Sequence, residues 1–520
     1  MDRDLGRNLI RRINIGDALT RTASARPDSP ALVDGDRRWT YAEFDAWVNR
    51  LAHGLTARGY VVGDALGLAS ANSAEFLAVY FACAKLGVVC VPINLGWRSH
   101  EIAYVLGHSE AKGVVAEEAL LDTVRPALAD LGAVEVLVAR PGLDDLLADR
   151  AEEPEHLIDD AAPISYLYTS GTTSFPKGVV GTHKAIYLES LNTALDNGWS
   201  RDDRFLAIMP MFHTAQLNAF CTPAVAVGAQ IVVHRGFDPA RFLDTIEAER
   251  ITQVFALPMM YRAALDHPTF AQRDLSSLRR AVYAMAAMPE SQIKACLDGF
   301  GCDFALLFGQ TEMSPVTTFF RPEHQLSHVG AVGTAVTGVQ VAVMDETGAL
   351  LPAGEAGEIV YRGPSTMAGY LKDDAATDAA FEHGWFHSGD VGRFGEDGVL
   401  WFVDRYKDVI KTGGENVASL EVERAVYDTE PNVAEVVVVG LPHERWTEAI
   451  TAIVVAKPGG TIDPEGLRAA VRERLDGYKV PKAVIVVAEL PRTSTGKIQK
   501  NLLREQHAGH YKSPEASAQP

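Results

Sequence analysis

The stretch YTSGTTSFPKGVV, Tyr168 to Val180, crowds five hydroxyl side chains and Gly171 ahead of Lys177, with Gly178 behind it. It lies between an apolar strand-like run and a helix-like one. Gly171 and Gly178 tolerate positive φ and let backbone N–H groups converge on an anion. Thr169, Ser170, Thr172, Thr173 and Ser174 add hydroxyl donors, and Lys177 adds a point charge. The pattern is not a Walker A loop, because Pro176 precedes the lysine and Gly178 follows it where that motif needs Ser or Thr. Taken alone, such a cluster also occurs in ordinary polar loops; the rest of the chain decides for phosphate.

At 520 residues the chain exceeds one hydrophobic core. A formal charge of −20 argues against nucleic acid or an anionic membrane as partner, while leaving room for a local basic cleft. The five cysteines, Cys83, Cys90, Cys221, Cys296 and Cys302, form no C-x-x-C pair and read as core thiols of a reducing compartment. The charge-interleaved start offers neither a secretory h-region nor a membrane span. A cytoplasmic protein without stable membrane insertion is expected, with a homodimer as the simplest assembly.

From Trp39 onward, helix-like stretches such as YAEFDAWVNRLAHGLTARG alternate with short apolar runs such as ALGLAS and GVVCVPIN, which predicts α/β units with buried strands. Further strands are expected at 205–209, 229–233, 254–257 and 280–283. The acidic segment 144–163 reads as a solvated surface excursion with at most one short helix. Short strands at 339–344, 358–361 and 399–403, separated by glycine-rich turns, indicate a small β-subdomain. Beyond Asp404 the texture changes to a compact α+β module of about a hundred residues. The fold class is therefore α/β: a large multi-sheet N-terminal body with a β-subdomain, and a small mobile α+β C-terminal domain. The expected boundaries are 1–406, 407–508, and a disordered tail at 509–520.

Four more segments carry chemistry. FGQTEMSP (308–315) sets Thr311 beside Glu312 after an apolar strand, suited to phosphate and magnesium respectively. WFHSGDVG (385–392) ends a strand at Asp390, a carboxylate placed either to accept from ribose hydroxyls or to close an Asx-turn. DRYKDVIKTGGENV (404–417) crowds Arg405, Lys407 and Lys411 ahead of Gly413 and Gly414, a backbone able to approach a ligand. PRTSTGKIQKNLL (491–503) puts Lys497 on a Ser/Thr/Gly-rich turn.

In this order and spacing, from about Trp39 to Leu503, the segments resemble the adenylate-forming superfamily of acyl-CoA synthetases, firefly luciferase and nonribosomal-peptide adenylation domains. The resemblance implies two steps: a carboxylate attacks the α-phosphate of ATP with Mg2+ present, then a thiol, usually coenzyme A, displaces AMP. It implies that Thr169 to Thr173 and Lys177 embrace the β- and γ-phosphates, that Gly309 and Gln310 help bind the nucleotide, and that Thr311 and Glu312 contact phosphate and magnesium. Asp390 and Arg405 would hold the ribose, and Lys497 would bridge the two reacting anions. Lys407 matches the hinge, Lys411 a lysine of the second step, and Gly413, Gly414 and Lys479 candidate coenzyme A contacts. Ser174, His443 and Thr447 depart from the family's usual Gly, Asp and Gly.

PMFHTAQLNAF (210–220) matches a segment lining the acyl pocket, with His213 where amino-acid-activating relatives carry an aspartate; His213 either gates the pocket or is a satisfied core histidine. A buried ammonium without a counter-charge is costly, so amino acids are disfavoured. In YAMAAMP (283–289), Ala284, Ala286 and Ala287 leave space, and Met285 and Met288 give an adaptable lining. Neither segment holds a cation for a second substrate carboxylate. The reading is a monocarboxylic, foremost fatty, acid–CoA ligase. The alternatives are an aryl or alicyclic acid, an acyl-AMP ligase loading a carrier protein, a luciferase-like oxidative enzyme, and a silent nucleotide-binding relative.

A hinge at Lys407 has a direct consequence. Lys407→Pro fixes φ and removes an N–H, so single-turnover adenylation should persist while thioester formation falls by a much larger factor. Equal loss of both, or of neither, would contradict the hinge.

Overall fold

The computed structural model describes residues 2–511 apart from 130, 133, 170–175, 286–287 and 494–497. Ser170, Gly171, Thr172, Thr173, Ala286, Ala287 and Lys497, all expected site residues, therefore lie outside the described residues. The chain divides into two compact units, residues 1–341 with 361–386, and residues 342–360 with 387–520.

Among the described residues, the first unit carries a six-stranded and a nine-stranded sheet. The six-stranded sheet runs Glu135–Ala139, Ala111–Glu117, Ala65–Ala69, Val89–Pro92, Pro163–Thr169 and Lys177–Thr182. Its strands pair in parallel except at the final hairpin. Strands such as Ala65–Ala69 are buried at every residue, as their unbroken apolar runs require when helices cover both faces. Helix Ala74–Leu86 is likewise buried at every residue, starting at the Ser73 cap and stopping at Gly87. In the nine-stranded sheet, Arg204–Ala207, Gln230–Val233, Gln253–Ala256 and Arg280–Tyr283 fall within about two residues of the expected strands. No helix among the described residues is long and apolar enough to cross a membrane.

The second unit holds a five-stranded sheet covered on both faces. In strand Val433–His443, Val436 and Val438 pack against helices Ser419–Thr429 and Pro464–Arg472, while Val437 and Val439 pack with Leu490 and Leu503. Four consecutive valines thus serve two cores through the period-two geometry of a strand. A four-stranded sheet ends in the antiparallel hairpin of Phe386–Phe394 with Leu400–Arg405. Lys407, the expected hinge, lies inside this second unit.

Two expectations are corrected. The acidic segment has one short helix, Asp144–Leu146, and most of its carboxylates are exposed as expected, but it is anchored to the body: Leu146 and Ile158 are buried. Its backbone accepts from Arg50 Nε at Ala148, Asn49 Nδ2 at Ala151 and Arg12 Nη1 at His156. The wholly buried Lys85 ammonium also requires it, donating to Glu153, Asp45, Asn49 and Thr20 at 2.6–2.7 Å. One carboxylate of the segment, Glu153, thus supplies counter-charge to a buried cation. At the other end, Tyr511 was expected in the tail, yet it packs on the Val437–Leu503 core and its hydroxyl meets Thr451 Oγ1 at 3.0 Å. From Lys512 on, the expected tail lies outside the described residues.

Lys85→Met would leave Asp45 and Glu153 facing each other without a cation. The loss should be about 3 kcal/mol, the low end for a broken buried pair, since Glu153 keeps 30% side-chain exposure. It is read as a lower denaturation midpoint of the first unit, partly recovered by adding Glu153→Gln; an unchanged midpoint would contradict the network's role.

Candidate active site

Strands Pro163–Thr169 and Lys177–Thr182 form the hairpin that carries the phosphate loop, with Thr169 opposite Lys177. The second strand uses its other edge as well. Leu371 N–H donates to Gly178 O (2.8 Å), Val180 N–H to Gly369 O (3.0 Å) and Ala368 N–H to Val180 O (3.0 Å). This pairing carries Tyr370 to Lys177, whose Nζ lies 4.7 Å from the ring centroid and 3.7 Å from Asp373 Oδ2.

The other side of Tyr370 faces the Thr311–Met313 turn. Its hydroxyl donates to Glu312 Oε1 (3.0 Å), and Met367 N–H donates to Glu312 O (2.7 Å). Burial, reinforced by the Glu312 charge, holds the Tyr370 phenol well above its usual pKa, so it is a neutral donor. The turn follows strand Asp303–Gly309, and Gly309 has φ +154°; a Cβ there would stand 1.9 Å from Pro315 O. Glycine is thus obligatory ahead of the motif. Gln310 N–H closes onto Pro315 O (2.9 Å), while Gln310 Oε1 is buried without a hydrogen-bond partner among the described residues.

Helix His183–Asp196, which follows the phosphate-loop hairpin, braces this turn. Its fully buried Glu189 accepts from Val316 N–H (2.9 Å) and Thr193 Oγ1 (3.2 Å) through Oε1. Burial pushes the Glu189 carboxyl up to about 8.

In the second unit, Asp390 and Arg405 stand opposite each other in register, with Arg405 Nε 3.0 Å from the buried Asp390 Oδ1. Asp404 Oδ2 accepts from Ser419 N–H at 2.5 Å, at the start of helix Ser419–Thr429, so a hydrogen bond spans the expected hinge. Lys407 is exposed; partial desolvation and the neighbouring Arg405 and Arg504 lower its pKa. Asp408 pairs with Arg504 at 2.7 Å. Lys411 is exposed, and its N–H is held by Glu448 Oε2 (2.7 Å).

Gly413 and Gly414 form the tight turn between Ile410–Thr412 and Glu415–Val417 with φ +61° and +90°, both in the glycine region. Gly413 N–H donates to Trp446 O (2.9 Å). Lys482 Nζ and the Arg445 guanidinium lie 4.8 and 5.4 Å from the Trp446 ring centroid. Burial, then Arg468, Arg472 and Arg445, depress the Lys482 pKa, the signature of crowded cations. Lys479, by contrast, is engaged by Glu421 at 2.7 Å, which raises its pKa. Thr447, where relatives were expected to carry Gly, keeps the left-handed backbone with φ +67°, a strained state for a β-branched residue.

Of the expected acyl-pocket residues, His213 Nδ1 accepts from Ala215 N–H (3.2 Å) and caps a short helix that continues as the π-helical turn Leu217–Cys221. Ala284 and Met288 are buried, and Met285 has φ +69° and is exposed. The structure thus unites Lys177 with Glu312 through Tyr370, and Asp390 with Arg405. Sequence reasoning missed Tyr370, Glu189 and Trp446. Tyr370 had a faint signal, an aromatic after Gly369 in the polar run ahead of helix Asp374–Ala380.

A family model described as AMP-binding enzyme matches residues 19–371, and one described as AMP-binding enzyme C-terminal domain matches residues 421–497. A feruloyl-CoA synthase of Amycolatopsis sp is 36% identical over 495 residues, covering 95% of this chain and 99% of its own length. Long-chain-fatty-acid–CoA ligase FadD13 of Mycobacterium tuberculosis is 34% identical over 501 residues, covering 95% and 99%. The crystal structure of ATP-bound MatB from Rhodopseudomonas palustris shares the fold with a TM-score of 0.90 at 30% identity, covering 96% of this chain and 100% of that one.

Glu189 also generates a pH test. With a raised carboxyl pKa, the folded protein keeps a proton that the unfolded chain has released between about pH 5 and 8, so stability falls as pH rises through that window. Glu189→Gln keeps an acceptor for Val316 without the titration. Its melting temperature should gain on wild type steadily from pH 5 to 8.5; a difference independent of pH would contradict the buried, protonated carboxyl.

Proposed function

The chain belongs to the AMP-binding enzyme family and is an AMP-forming acid–thiol ligase, and we propose that it activates an apolar monocarboxylic acid, foremost a fatty acid, and transfers it to coenzyme A. The observation that carries the adenylation half is the Lys177–Tyr370–Glu312 constellation at the phosphate-loop hairpin. It offers a cation and a carboxylate on one scaffold, as a magnesium nucleotide requires.

The donor set fits magnesium: Glu312 is one hard oxygen ligand, and among the described residues no group of three His, Cys, Asp or Glu could hold the ion unaided. Sharing with nucleotide phosphates is the usual arrangement for this cation. Magnesium bound there would offset charge on the departing pyrophosphate. Thr169 and Lys177 bind the β- and γ-phosphates, and Asp390, steadied by Arg405, accepts from the ribose hydroxyls. A carboxylate oxygen attacks the α-phosphorus, and the bond to pyrophosphate breaks. Lys497 reduces the repulsion between the two anions as they meet. The thiolate sulfur, its proton lost to solvent, then attacks the acyl carbon and AMP departs with the bridging oxygen.

The acid is inferred from the lining. Ala284 and Met288 are small or adaptable and buried, and His213 Nδ1 accepts a backbone N–H. No aspartate stands there for an ammonium. The feruloyl-CoA synthase relative favours a second reading, an aryl acid. Free coenzyme A is supported by the second unit: Gly413 lies against Trp446, an aromatic platform flanked by Lys482 and Arg445 suited to a phosphorylated nucleotide. Lys479 is a poorer contact, since Glu421 already holds it.

A panel of carboxylic acids assayed for pyrophosphate and for coenzyme A-dependent AMP should show turnover with fatty or aryl acids and none with amino acids; the reverse would overturn the substrate reading. Lys497→Ala should lower pyrophosphate formation on the order of a hundredfold with the fold intact, and wild-type exchange in that variant would remove the lysine from the reaction.

A further inference from the structure

Lys177 and Glu312 carry opposite charges on neighbouring segments, yet among the described residues no ion pair joins them. The phenol of Tyr370 stands between. We infer that Tyr370 is a positioning residue of the nucleotide site, its hydroxyl fixing one oxygen of the Glu312 carboxylate and its ring seating the Lys177 ammonium. The inference rests on the adenylation reading above.

The placement is built by backbone. Three hydrogen bonds between residues 368–371 and strand Lys177–Thr182 set the position of Tyr370, and the Met367 N–H bond to Glu312 O ties the same segment to the turn. The backbone therefore sets the origin of the Tyr370 side chain between Lys177 and Glu312. The hydroxyl engages Glu312 Oε1 only, which orients the carboxylate and leaves Oε2 for a cation. Partners of this kind, one bond removed from a metal, commonly set affinity as strongly as ligands do.

The ring performs the second task. An ammonium over an aromatic face is attracted without a carboxylate being spent on it, so the ring holds Lys177 in place beside the phosphate loop. Asp373 at 3.7 Å, 42% exposed, steadies it from the other side. Without the phenol, Lys177 and Glu312 would be free to approach each other and cancel, and both would be lost to the ligand.

Tyr370→Phe removes the hydroxyl and keeps the ring; Tyr370→Leu removes both. ATP binding is measured by calorimetry with EDTA and with magnesium, and pyrophosphate release is titrated with magnesium. The Phe variant should need on the order of tenfold more magnesium for half-maximal release, with EDTA-condition ATP binding and the acid profile unchanged. The Leu variant should also bind ATP on the order of fivefold more weakly in EDTA. Should the Leu variant not fold, Tyr370→Met serves the same comparison. A wild-type magnesium titration in the Phe variant would overturn the role of the hydroxyl, and wild-type EDTA binding in the Leu or Met variant would overturn that of the ring. If the wild-type protein itself binds no ATP and releases no pyrophosphate with any acid, the ligase reading fails, and this assignment with it.

Discussion

The arrangement depends on one strand that is paired on both edges. Strand Lys177–Thr182 hydrogen-bonds to Pro163–Thr169 on one side and to residues 368–371 on the other. An edge strand would leave Lys177 on a flank with unpaired backbone beside it. Here the second pairing brings in Tyr370, Tyr370 brings in Glu312, and Glu189 bolts the following strand to the helix that leaves the same hairpin. Charge is thereby delivered to a loop by a backbone lattice, which limits the reorganisation that binding requires.

The second unit would meet a different demand if, as proposed, its residues serve two reactions in turn. Its polar contacts cluster around the segment 404–408: Asp404 holds the first N–H of a helix beyond the hinge, and Asp408 pairs with Arg504. The Asp408–Arg504 pair lies wholly beyond Lys407, so a rotation there would leave it intact. The Asp404–Ser419 bond instead crosses the hinge and belongs to this arrangement alone if rotation occurs there. Strain is stored nearby as well, since Thr447 holds a positive φ beside the Gly413–Gly414 turn.

Much of this was legible in the sequence, because local signals set it. Apolar runs gave the parallel strands to within about two residues, and the Gly-Gly pair signalled a special backbone, which the structure shows as a turn with positive φ at both positions. Arg405 fell on a strand end and Glu312 on the turn after one, because motif spacing records backbone direction. Asp390 instead stands in the middle of strand Phe386–Phe394 and not at its end, since the strand continues through the hairpin with Leu400–Arg405. The failures share a cause. Tyr370 acquires its role from pairing across some 190 residues of chain, counted from Lys177, and no local pattern encodes that. The acidic segment read as solvated because charge normally is; its anchors, the buried Lys85 and donors from Arg12, Asn49 and Arg50, are distant in sequence. Tyr511 was assigned to a tail by its polar neighbours, yet one aromatic sufficed to dock it.

The central claim is that the acid's own oxygen becomes bonded to the α-phosphorus before the thiol arrives. It is tested most directly with a turnover-supporting acid labelled with 18O in both carboxyl oxygens, followed by mass spectrometry of the nucleotide product. The account predicts AMP carrying a single 18O, with the other label retained in the thioester. Unlabelled AMP, or ADP with labelled inorganic phosphate, would contradict it.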